Sequence, residues 1–61
     1  MILTKRQIIE EMLKGAEMPI KVKNLCTKNI LKMDAEYFIK YIFKYMHWRL
    51  EPIRKNTYIV T

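Results

Sequence analysis

The chain has 61 residues, a length with room for one domain spanning 1–61 and for a thin core. Apolar residues make up 51% and charged residues 30%, fractions that suit a folded chain and not a disordered one. The net charge of +6 is unevenly placed. In residues 1–20, Lys5, Arg6 and Lys14 cancel Glu10, Glu11 and Glu17, so the whole surplus lies in residues 21–61. A basic part beside a neutral one points to an anionic partner on one face; a plain solubility surplus of lysine is the alternative.

Cys26 is the sole cysteine, which excludes an intramolecular disulfide and points to a reducing, cytoplasmic-type compartment. One cysteine and one histidine (His47) cannot build a zinc-finger ligand set, so no metal is expected. No apolar run approaches the roughly 20 residues of a membrane span, and no signal peptide is expected. There is no glycine-rich phosphate loop and no nucleophile–base pair, so neither an enzyme, a cofactor nor a small-molecule substrate is expected. Cys26 is expected to be a small buried residue.

In chain order, the first predicted element is a helix over 5–14. Thr4 caps it, Gln7 completes a capping box, and Leu3 with Ile8 has the spacing of a hydrophobic staple. Ile8, Ile9, Met12 and Leu13 form its apolar stripe, and Gly15 supplies the stop. Residues 16–20 form a connection in which Ile20 could be a short extended piece. Val22, Leu25 and Cys26 repeat at helical spacing, so 21–28 reads as a short helix with that side inward. Asn29 is expected at its end in left-handed geometry, and 30–33 is expected to be a turn.

The third helix starts at the N-cap Asp34, repeats the staple with Met33 and Phe38, and runs to Met46 or Trp48. Ala35, Phe38, Ile39, Ile42, Tyr45 and Met46 share one side, expected to face the core. Tyr37, Lys40, Tyr41, Lys44 and, if the helix lasts, Trp48 share the other. Last comes a hairpin in which 50–54 and 57–60 flank Lys55-Asn56. Tyr58, Ile59 and Val60 are strong strand formers, and Pro52 restricts its strand to an edge.

This order resembles the winged helix-turn-helix family over nearly the whole chain. Met18-Pro19-Ile20-Lys21-Val22-Lys23-Asn24-Leu25-Cys26 looks like the opening of the family's second helix, 34–46 like its recognition helix, and 50–60 like its wing. Two features depart from the pattern: Lys21 stands where Ser or Thr often caps, and the turn lacks a glycine. The resemblance implies an α+β fold of three helices followed by a two-stranded wing, with Ile20 as a short first strand beside 57–60. It also implies duplex DNA as partner, and a role as a transcriptional regulator or architectural factor.

On that reading Glu36 and Tyr37, early in the recognition helix, are candidates to read bases. Lys40, Tyr41 and Lys44 offer cations, hydroxyls and rings to phosphates and sugars. Arg54, Lys55 and Asn56 form the wing tip, and Lys21, Lys23 and Lys28 on the second helix are expected at the backbone. A solvated surface with lysine stems lying over apolar area is the plain alternative. If Tyr41, Phe43 and Trp48 stay exposed together they would mark a homodimer or protein-partner interface; otherwise Trp48 closes the core under the wing. A protein-interaction module that modulates a polymerase or nuclease is the competing function, since fold alone does not dictate function.

Overall fold

The computed structural model describes all residues, Met1–Thr61. The elements are β1 (Ile2–Thr4), α1 (Lys5–Leu13), α2 (Ile20–Leu31), α3 (Ala35–Met46), β2 (Leu50–Arg54) and β3 (Thr57–Val60). Three helices and a three-stranded antiparallel sheet of order β1-β3-β2 make a small α+β domain. No helix is long and apolar enough to cross a membrane.

The starts of α1 and α3 follow from local chemistry. Thr4 Oγ1 accepts from the Gln7 N–H at 3.2 Å, and Gln7 Oε1 accepts from the Thr4 N–H at 2.9 Å. Two donors that the helix cannot satisfy are thus paired reciprocally. Asp34 Oδ1 accepts from the Tyr37 N–H at 2.8 Å at the head of α3. Beyond the end of α1, Gly15 sits at φ +83°, a backbone state that strains any side chain. α3 ends at Met46, earlier than Trp48, because His47 turns left-handed at φ 59° and its N–H donates to the Phe43 carbonyl.

α2 differs from its sequence reading in extent and in facing. It begins at Ile20 and runs to Leu31, absorbing Asn29 and part of the predicted turn. Its N-cap is Pro19, with no side-chain bond. The side turned inward carries Lys23, Cys26, Thr27 and Ile30, at helical spacing. Val22 and Leu25, expected inward, are exposed, Leu25 by 58%. Cys26 is only half-buried.

The sheet also differs. Ile20 is not a strand; the third strand is β1, from the opposite end of the chain, paired as Ile2↔Ile59, Leu3↔Tyr58 and Thr4↔Thr57. β2 pairs with the other side of β3, so Pro52 does lie on an edge strand. The hairpin register is irregular between Pro52 and Arg54. At the turn only Asn56 enters the left-handed region, φ 57°, so the hairpin is not closed by a type I′ turn, which needs two such residues.

Ile8, Ile9, Ile30, Phe38, Ile42, Leu50 and Tyr58 form the core. The Phe38 and Tyr58 rings meet at 5.4 Å, joining α3 to the central strand. Trp48 packs half-buried against this cluster. Tyr45, expected inward, is 59% exposed, while its neighbour Met46 on the same stripe packs against the core.

Burial pushes the Tyr58 hydroxyl above its ordinary value of 10.0. Its neutral form is therefore favoured in the fold. The associated stability is complete below pH 10, where the unfolded phenol titrates, and is lost as pH rises beyond it. Thermal midpoints measured from pH 8 to 11 should fall above pH 10, and Tyr58→Phe, which keeps the ring contact with Phe38, should flatten that fall.

Candidate nucleic-acid interface

A three-residue link, Lys32-Met33-Asp34, joins α2 to α3. Its geometry is held by a lysine that the sequence reading only counted as a charge. Lys5 is the first residue of α1, yet it is only 5% exposed. Its ammonium donates to the carbonyl of Leu31, the last residue of α2, at 3.1 Å and to the Met33 carbonyl in the link. A cation there also meets the negative end of the helix dipole. The same ammonium lies 5.1 Å from the Phe38 ring centroid. Desolvation by burial holds the Lys5 pKa below its usual 10.5, against the opposing pull of Asp34.

The backbone of Lys5 does a second job. Its N–H donates to the Asn56 carbonyl at 2.8 Å, fixing the hairpin turn to the head of α1. One residue therefore joins the α2–α3 link, the first turn of α3 and the hairpin tip. Between them lies a groove of about 490 Å³, with Asp34 and Ala35 on one wall and Arg54, Lys55 and Asn56 on the other. The hairpin tip and the N-terminus of α3 thus share one opening.

Along α3 the predicted side chains fall into two groups. Glu36, Tyr37, Lys40 and Lys44 are exposed. The Lys40 ammonium is 3.5 Å from Glu36 Oε1, one helical turn away, with both groups largely in water. Such a pair adds little to stability and leaves Lys40 free to exchange partners. Tyr41, in contrast, was expected to be outward and is half-buried against the core. Burial first, then the neighbouring Tyr45, Cys26 and Tyr37, raise its pKa above 10.0. Tyr41 and Tyr45 stack at 4.7 Å, and the Lys44 ammonium lies 5.7 Å from the Tyr45 ring. Tyr37, Lys40, Tyr41, Lys44 and Tyr45 line one shallow groove of about 280 Å³. Tyr45 is the member that periodicity alone assigned to the core.

The α2 lysines are not equivalent. Lys21 and Lys28 are exposed, seven residues apart and so on one side of the helix; Lys23 is half-buried on the inward side, unlike its expected backbone-contact position. The three aromatics considered as one patch are separated: Tyr41 packs with Tyr45, Phe43 meets His47 edge-on at 5.9 Å, and Trp48 lines a groove with Leu3 and Val60.

The signal for Lys5 was present in the sequence. It stands three and four residues before Ile8 and Ile9, on the apolar stripe of α1. No family model, no curated protein and no solved structure matches the chain, so the assignment of this surface rests on its own geometry.

Lys5→Met keeps the stem and removes the ammonium, which leaves the Leu31 and Met33 carbonyls without this donor. The expected loss is about 1–3 kcal/mol, the range for hydrogen bonds to a charged group. For a chain this short that lowers the midpoint by several degrees or more. Calorimetry of Lys5→Met beside the exposed Lys14→Met separates this from a general loss of charge, since the second change should leave the midpoint unmoved.

Proposed function

We propose that the chain is a small DNA-binding protein, a variant winged helix-turn-helix whose recognition helix is α3 and whose wing is the β2–β3 hairpin. The observation that carries the reading is the shared opening of the α3 N-terminus and the hairpin tip, with Lys40, Lys44 and Tyr37 exposed along the same helix. Two helices joined by a three-residue link, followed by a hairpin, support it. On this reading β1 occupies the sheet position that the family gives to a short strand beside the wing.

In the mechanism, α3 enters the major groove, which admits one helix. Lys40, Lys44, Lys55 and Arg54 neutralise phosphates, and Lys21 and Lys28 add contacts from α2. Tyr37 offers a hydroxyl and a ring at the early, base-proximal part of α3. Glu36 reaches a cytosine amino group only if Lys40 releases it to a phosphate, so specificity and affinity exchange through one ion pair. The half-buried Tyr41 and Lys23 act as supports of the surface and not as contacts. On this reading a regulatory or architectural role follows from binding alone.

A second reading, a module that docks on a polymerase or nuclease, draws on Val22, Leu25 and Tyr45, which expose apolar area beside the lysines.

A titration of random-sequence duplex DNA distinguishes the two. With about five phosphates neutralised, affinity should fall about 100- to 1000-fold between roughly 50 and 200 mM salt. Lys40→Ala with Lys44→Ala should keep the fold, weaken binding and reduce the salt slope by about 2. Absent binding at the lower salt, or an unchanged slope in the double variant, would reject the DNA reading.

A further inference from the structure

The two edges of the sheet differ in a way that bears on assembly. The β2 edge carries Pro52, which has no N–H to donate, the charges of Glu51 and Arg54, and a register irregularity. These are the devices by which proteins prevent another strand from adding. The β1 edge has no proline, no charged side chain and no register irregularity; its one charge is the Met1 ammonium, which donates to the Val60 carbonyl at 3.5 Å, and Met1 and Ile2 are exposed by 79% and 59%.

The backbone of that edge can be followed group by group. Met1 accepts from the Val60 N–H at 2.7 Å, and the Lys5 N–H donates to Asn56 at 2.8 Å. In an antiparallel ladder alternate residues face the partner strand, so Ile2 and Thr4 direct their amides away from β3. The Thr4 N–H is taken by Gln7 Oε1 in the capping box. Ile2 is left with an N–H and a C=O directed outward from the sheet. Beside it opens a groove of about 370 Å³ lined by Met1, Leu3, Glu11, Trp48, Val60 and Thr61.

We propose that a second copy of this chain docks on the β1 edge, pairing antiparallel about a two-fold axis at Ile2. The two Ile2 residues exchange both backbone hydrogen bonds, and two three-stranded sheets become one of six strands. The register then fixes the side chains. Leu3 of one copy faces Met1 of the other, and both lie on the side of the sheet that carries the groove. The second copy's Met1, unbranched and adaptable, enters the groove beside Leu3 and Trp48.

Charge favours this occupant over contact elsewhere. The side chains of residues 1–20 sum to zero charge, and β1 and its neighbour β3 carry no charged side chain, which leaves the Met1 ammonium, bonded to the Val60 carbonyl, as the one charge at this edge. Two copies meeting through α2 or α3 would instead bring the lysine-rich surfaces together. The contact is isologous, as a two-fold dimer requires. It does not depend on the DNA reading, and its test contains no nucleic acid.

The experiment is sedimentation equilibrium of the 61-residue chain, with Trp48 emission followed on dilution. Mass should rise from 7.5 kDa toward twice that value between about 10 µM and 1 mM, the weak range of a small interface. Ile2→Pro removes only the outward N–H and should stay monomeric with an unchanged melting curve. Ile2→Lys, which sets like charges opposite each other, should do the same, while Glu51→Lys on the other edge should still dimerise. A wild-type chain that remains at 7.5 kDa at about 1 mM overturns the proposal. So does a dimer that survives both Ile2 variants.

Discussion

A buried ammonium holds the structure in register. A domain of 61 residues has a thin core, seven buried apolar side chains with ten partly buried ones packed on it. Lys5 adds direction to that packing. Its ammonium donates to the Leu31 and Met33 carbonyls and sits against the ring of Phe38, while its N–H carries the hairpin turn. Desolvating a cation is costly, and the lowered pKa reflects that cost. Hydrogen bonds to the helix end and the dipole there offset it. The outcome is a fixed spacing between the start of α3 and the hairpin tip, on which the proposed interface depends.

Features set by near neighbours in sequence could be read from the sequence. The capping box of α1, the Asp34 cap of α3, the hairpin and the edge placement of Pro52 each depend on residues a few positions apart. Features set across the chain could not. β1 pairs the first residues with the last, and nothing local distinguishes Ile2–Thr4 from the approach to a capped helix. The inward side of α2 was misjudged because Val22 and Leu25 are the more apolar residues. The half-buried positions on α2 are instead Lys23, Cys26 and Thr27, with Ile30 buried in the core. Tyr45 obeys the periodicity of α3 yet is exposed.

The candidate site shows the same division. Glu36, Tyr37, Lys40 and Lys44 lie exposed on α3 as helical spacing requires, and Arg54, Lys55 and Asn56 form the hairpin tip. Tyr41 and Lys23 are half-buried instead, Tyr41 against the core. The arrangement also separates two surfaces by charge. Cations gather on α2, α3 and the hairpin tip, whereas β1 and β3 carry no charged side chain. An anionic polymer and a second copy of the chain would therefore be accepted by different parts of one small molecule.

The central claim is that α3 and the hairpin tip act as one nucleic-acid surface. Amide chemical-shift mapping during titration with a short random duplex at low salt tests it most directly. The account predicts perturbations concentrated at Tyr37, Lys40, Lys44, Lys55 and Asn56, with Glu10, Glu11 and Lys14 on the outer side of α1 unmoved. Perturbations spread evenly over all exposed lysines, or centred on α1, would contradict it.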